Sequence, residues 1–106
     1  MRVSKTDWEL FIEKLPSWQE SYMDKLISEY IDLLKANALP SERFHELDKR
    51  INQDKKKKGV RIRMNRENVI TDIASLMHDQ AITLDDLQGF SSELKDAVLT
   101  VLDIIS

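Results

Sequence analysis

Between Ser17 and Ala36 the apolar and polar positions recur at helical spacing. Trp18, Tyr22, Met23, Leu26, Ile27, Tyr30, Ile31, Leu33 and Leu34 fall on one broad face. Gln19, Glu20, Asp24, Lys25, Ser28, Glu29, Asp32 and Lys35 take the other. A stripe that wide is unfavourable in water, so the flanking segments are expected to cover it. On the N-terminal side, Thr6 and Glu9 have the spacing of a capping box opening a short helix to Leu15. Trp8, Phe11, Ile12 and Leu15 of that helix point inward. Pro16 is expected to break it, and Ser17 with Glu20 to cap the long helix that follows.

Asn37-Ala38-Leu39-Pro40 ends the long helix, and Ser41 caps a third from Glu42 to about Gln53. Its inward positions are only Phe44, Leu47 and Ile51, a thin edge. From Asp54 the pattern changes: Lys55 to Lys58 and Gly59 make a solvated turn, and Val60-Arg61-Ile62-Arg63-Met64 alternates apolar and basic residues. Period-two alternation predicts a short extended segment, Val60–Met64, with Val60, Ile62 and Met64 inward. A lone strand has no partner for its backbone groups. The segment is therefore expected to be a connector lying in a groove, with pairing to its own copy across a two-fold axis as the other arrangement.

Asn65 caps a fourth helix from Arg66 to about Gln80, burying Val69, Ile70, Ile73, Leu76 and Met77. Thr83 with Asp86 caps one short turn that points Leu84 and Leu87 inward. Gly89 stops that turn, Phe90 returns to the core, and Ser91 caps a last helix burying Leu94, Ala97, Val98, Val101, Leu102 and Ile105. With no internal repeat and no interdomain linker, the expected fold class is all-α. It is a compact bundle of five to six helices with one short extended segment, in a single domain over residues 1–106.

An apolar fraction of 42% beside 33% charged residues is that of an ordinary globular chain rather than a disordered one. The chain has no cysteine, which removes disulfides, thiolate nucleophiles and sulfur-ligated zinc together. Met1-Arg2-Val3-Ser4-Lys5 leads into polar residues with no apolar signal region, so a cytoplasmic location is expected. The most apolar run, Ala97 to Ile105, already contains Thr100 and Asp103, and a membrane span needs about 20 apolar residues.

Charge changes the picture through its distribution. Lys49, Arg50, Lys55, Lys56, Lys57, Lys58, Arg61, Arg63 and Arg66 crowd into one short segment, opposed only by Asp54. Nine cations and one acid give it a net +8, which leaves −11 for the remainder of a chain of net −3. Such a segment is expected to contact an acidic partner, either another protein or the acidic face of a second copy. Binding to phosphates of nucleic acid is the lesser alternative, because acidic residues outnumber basic ones overall and no Phe, Tyr or Trp lies between positions 45 and 89 to stack on a base. The cations can also serve solubility alone, with Arg61 and Arg63 paired to acidic helices of their own chain. A winged helix-turn-helix is a further reading. It would place Glu46, Lys49, Arg50 and Gln53 on a recognition helix, but no second strand for a wing is legible.

No catalytic, metal-ligating or cofactor-binding residue is expected, nor a small-molecule ligand. His45-Glu46 begins like a zinc-protease helix, but Lys49 stands where the second histidine is needed. His78 has no ligand neighbour at helical spacing, so both histidines belong at the surface or rim. Asp85 and Asp86 follow Thr83 as first-turn acids favoured by the helix dipole. Glycine only at 59 and 89 excludes a phosphate-binding loop. Trp8, Trp18, Tyr22 and Tyr30 have core spacing, and the polar atoms of Trp18 and Tyr30 place those two at its rim.

Phe44, Leu47, Lys49-Arg50-Ile51, Asp54-Lys55, Gly59-Val60, Ile82-Thr83, Asp86-Leu87 and Phe90-Ser91 resemble a group of short bacterial helical proteins. Some of these carry the label multidrug transporter. The resemblance covers over half of the chain and implies a small helical protein with no assigned activity. No stretch here is long enough to enter a bilayer as that label requires. In size and helix count the chain is also similar to bacteriocin immunity proteins.

Overall fold

The computed structural model describes residues 2–105, so Met1 of the N-terminal run read above lies outside them. Among the described residues there are four α-helices and no strand, so the all-α class holds. The count of five to six does not, for two local reasons.

The first reason is Pro16. Helix α1 runs unbroken from Lys5 to Lys35 with Pro16 inside it, so the two expected helices are one. Its cap is Ser4, whose Oγ accepts the Asp7 N–H at 3.1 Å, not Thr6. A proline breaks a helix by removing one N–H and crowding the carbonyl four residues back. Here Phe11, Leu15 and Trp18 flank it on a buried stripe, while Pro16 itself faces solvent. Burial of that stripe on both sides of Pro16 outweighs the local penalty. The second reason is the Thr83 turn, which is a 3₁₀ turn over Leu84–Leu87 rather than a helix of its own.

The main core encloses the first half of α1. Val3, Phe11, Leu15 and Trp18 pack against Val69, Ile73 and Leu76 of helix α3 (Val69–His78). Leu87, Phe90 and then Leu94 and Val98 of helix α4 (Ser92–Ile105) complete this core. An aromatic run Trp8–Phe11–Trp18–Phe90, with ring centroids 6.2–6.3 Å apart, crosses it. Two capping expectations hold: Asn65 Oδ1 accepts the Glu67 N–H at 2.9 Å, opening a 3₁₀ turn over Arg66–Asn68 that leads into α3. Asp86 Oδ2 accepts the Thr83 N–H at 2.7 Å. Helix α3 ends with Gln80 at φ 62, its N–H bonded to the Met77 carbonyl and that of Ala81 to Leu76. That is a Schellman ending with glutamine in the left-handed position where glycine is usual.

Ser91 caps α4 and is itself held from the far end of the chain. Its N–H donates to Asp7 Oδ1 at 3.0 Å and its hydroxyl to Asp7 Oδ2 at 2.6 Å, while its Oγ accepts the Leu94 N–H at 3.1 Å. Asp7 is buried. Arg66 Nε adds a second tie, donating to the Val3 carbonyl at 3.0 Å.

The second half of α1 extends beyond this core and pairs with helix α2 (Pro40–Asp54) and the turn that follows it, giving a molecule 51 Å long and 23–27 Å across. The two helices run antiparallel, with Arg43 donating to the Leu34 carbonyl and Arg50 reaching Glu29. The helix starts at Pro40, and Glu42 rather than Ser41 satisfies its start, accepting the Leu39 N–H at 3.4 Å. The broad stripe of Ser17–Ala36 is therefore only partly covered, contrary to expectation. Trp18, Tyr22 and Leu26 are buried, but Ile27, Ile31 and Leu34 are exposed. Phe44 and Ile51, expected inward, are also exposed, Phe44 at 69%. One helix covers a strip of its neighbour, and residues 66–105 fold back on the first half of α1 instead of the second. Ile12, Leu84 and Ile105 are exposed too, at the margins of their stripes.

Residues 61–65 have no regular structure, so Val60–Met64 is not a strand but a connector. Ile62 packs on the core as expected, Val60 belongs to the preceding turn, and Met64 faces solvent.

Candidate interaction surface

The cationic segment begins at the junction of hairpin and core, and its members divide into two sets. Arg50 lies between α2 and α1. Its Nη2 is 3.0 Å from Glu29 Oε1 and 3.5 Å from Asp54 Oδ2, and its guanidinium sits 5.5 Å from the Tyr30 ring centroid. Tyr30 donates its hydroxyl to Asp54 Oδ2 at 2.6 Å. Burial, then that bond to a carboxylate, push the Tyr30 phenol up to about 12. The rim assignment holds for Tyr30, which finds its partner between the helices, but not for Trp18, which is buried within the core.

The turn after α2 is pressed onto α1. Gln19 Nε2 donates to the Lys58 carbonyl at 3.1 Å, and Gly59 lies so close to the Tyr22 ring that a Cβ would overlap it. This close approach fixes the directions of the lysines. Lys57 Nζ is 3.5 Å from Asp79 Oδ1, and Lys58 Nζ is 3.4 Å from Asp72 Oδ1. Arg66 is spent on the Val3 carbonyl. Four of the nine cations, Arg50, Lys57, Lys58 and Arg66, thus serve the fold of their own chain. Lys49, Lys55, Lys56, Arg61 and Arg63 are exposed and make no ion pair among the described residues.

Asp72 is buried, which pushes its carboxyl up, while Lys58 pulls it back down. A carboxyl raised in the folded state favours folding at low pH, and that contribution is lost as pH rises through the folded value. Lys58→Met removes the counter-charge. It is therefore expected to cost about 1 kcal/mol at pH 7, well below the cost of breaking a fully buried pair because Lys58 is itself half-exposed. Urea denaturation of both chains at pH 7 and again near pH 4 reads this directly. The gap should close in acid, where the folded variant binds its proton; an equal gap at both pH values refutes the account.

Beside the free cations lies a surface that the sequence reading missed. Met23, Leu26, Ile27, Tyr30, Ile51 and Val60 line an apolar groove of about 240 Å3 between α1 and α2, with Asp54 and Lys55 at its edge. The signal was present in the width of the α1 stripe, which exceeds what a single neighbouring helix covers. His45 and His78 are exposed as expected. Among the described residues no group of three or more acidic or histidine side chains is placed to hold a metal ion, and no helix is long and apolar enough to cross a membrane. Comparison with known protein families, with curated proteins and with solved structures finds no match, so the functional reading stands on this chain's own geometry.

Proposed function

We propose that this chain is a non-enzymatic, cytoplasmic interaction module that contacts an acidic macromolecule, foremost a protein, through the segment from Lys49 to Arg66. One observation carries the reading. Lys49, Lys55, Lys56, Arg61 and Arg63 stand exposed within one segment and have no carboxylate partner in their own chain among the described residues. Exposed lysines steer an acidic partner, and the arginines supply directed hydrogen bonds. The internally paired Arg50, Lys57, Lys58 and Arg66 take a structural part, holding the segment against α1 and α3.

A DNA-binding role of winged helix-turn-helix type is less well supported. The α1–α2 pair is an antiparallel hairpin rather than the crossed pair of that motif, and no strand among the described residues supplies a wing.

The test compares the native chain with a variant carrying Lys55→Gln, Lys56→Gln, Arg61→Gln and Arg63→Gln, titrated with polyglutamate and with duplex DNA across a salt series. Salt-sensitive binding of polyglutamate by the native chain alone is the expected result. Equal binding by the variant overturns the assignment of these residues. Stronger salt-sensitive binding of DNA transfers the function to nucleic acid.

A further inference from the structure

We infer that the grooved flank of the α1–α2 hairpin docks an acidic amphipathic helix of another protein, with apolar anchors in the groove and carboxylates on Lys55, Lys56 and Arg61. The assignment rests on the acidic-partner reading and names the kind of segment that fits it. Ile27 and Ile51 line the groove. Leu34 and Phe44 stand seven residues from them along α1 and α2, about two helical turns, and so continue the same flank. The bond from Arg43 to the Leu34 carbonyl sets Leu34 and Phe44 at one level, toward the tip of the hairpin. All four apolar side chains are exposed. From Met23 to Leu34 the strip is roughly 16 Å long, about three turns of helix. Its floor offers no free polar group, because the Tyr30 hydroxyl donates to Asp54, whose carboxylate also meets Arg50. An occupant therefore needs an apolar face along about three turns, the pattern of an amphipathic helix laid between two others.

Charge selects the occupant. The turn after α2 closes the end of the groove nearest the core, where Val60 and Lys55 line it and Gly59 presses on Tyr22. Lys56 follows Lys55 and Arg61 follows Val60, and all three cations are exposed and make no ion pair among the described residues. Carboxylates at one end of a docked helix meet them there. Asp24 on α1 and Asp48 on α2, each three positions before a groove isoleucine, are exposed at the outer margins of the same flank. A flat anionic bilayer resting on the flank would meet both of these acids, whereas a helix seated in the groove lies between them.

Three labelled peptides of about four helical turns, titrated with the native chain by fluorescence anisotropy, test this. The first carries leucines at helical spacing and glutamates at one end. The second has the same composition in scrambled order, and the third has glutamine for every glutamate. The first should bind about 10-fold or more tightly than either of the others, and more weakly as salt is raised. Phe44→Ser and, separately, Ile27→Gln should each lower its affinity about 10-fold while leaving polyglutamate binding unchanged. Both residues are exposed, so the melting temperatures should stay near that of the native chain. Lys55→Gln with Arg61→Gln should bring the first peptide down to the level of the third. Equal binding of the first and second peptides, beside salt-sensitive binding of polyglutamate, overturns this inference and leaves the acidic-partner reading standing. Equal binding of the first and third, with no binding of polyglutamate, overturns both. Binding to phosphatidylglycerol vesicles, or a dimer of the native chain in sedimentation equilibrium, that Phe44→Ser abolishes gives the flank to another occupant and overturns the inference as well.

Discussion

Asp7→Ala is expected to lower the stability of this protein by about 3 kcal/mol, a large share of the roughly 5–15 kcal/mol typical of a folded domain. The carboxylate sits in the first turn of α1, buried, and accepts both the N–H and the hydroxyl of Ser91, 84 positions away. Each bond to a charged acceptor contributes about 1.5–3 kcal/mol, and alanine also strands the Ser91 N–H next to the start of α4. Loss of the desolvation penalty of a buried carboxylate offsets part of this. Asp7→Asn keeps an acceptor for the Ser91 N–H and should cost about 1 kcal/mol, which separates charge from shape. In thermal melts the alanine variant should fall by about 15 °C, given roughly 4–8 °C per kcal/mol at this size. Ser91→Ala made alone and in combination completes a double-mutant cycle. Additive losses would show that the two residues do not act together, and the tie between the chain's two ends would have to be sought elsewhere.

Pro16→Ala should move stability the other way, by about 2 kcal/mol. A proline inside a helix costs about 3 kcal/mol relative to alanine, because it withholds one N–H and its ring crowds the carbonyl of Ile12. Replacing it gives back the bond to Ile12 and sacrifices little packing, since Pro16 faces solvent. The gain is reduced by about 0.4–1 kcal/mol because proline also restricts the unfolded chain. The melting temperature is expected to rise by about 10 °C, with a small increase in helical circular dichroism. An unchanged or lower melting temperature would mean that α1 depends on a bend at Pro16 to seat its two halves.

Much of the local structure was legible. Asn65, Thr83 with Asp86, Gly89 and Ser91 do what their positions announce, because caps and turn stops are set by atoms within a few residues of each other. The buried faces of α3 and α4 were legible for the same reason, since their hydrophobic period is short and complete. Pro16 was misread because its local penalty is real but smaller than the burial of Phe11, Leu15 and Trp18 around it. The cationic segment was visible as a cluster, yet sequence distance does not say which charges meet a carboxylate. Arg50, Lys57 and Lys58 find Glu29, Asp79 and Asp72 from 14 to 22 positions away, while Lys55 and Lys56 between them find none.

The sequence by itself determined the helical class, the caps of the C-terminal half and most of its inward positions, all of which follow from contacts within one or two turns. Tertiary structure alone decided that α1 is continuous, that α3 and α4 cover its first half and not its second, and which cations are left for a partner. Those outcomes depend on packing between segments tens of residues apart, where the burial of one face is weighed against the exposure of another.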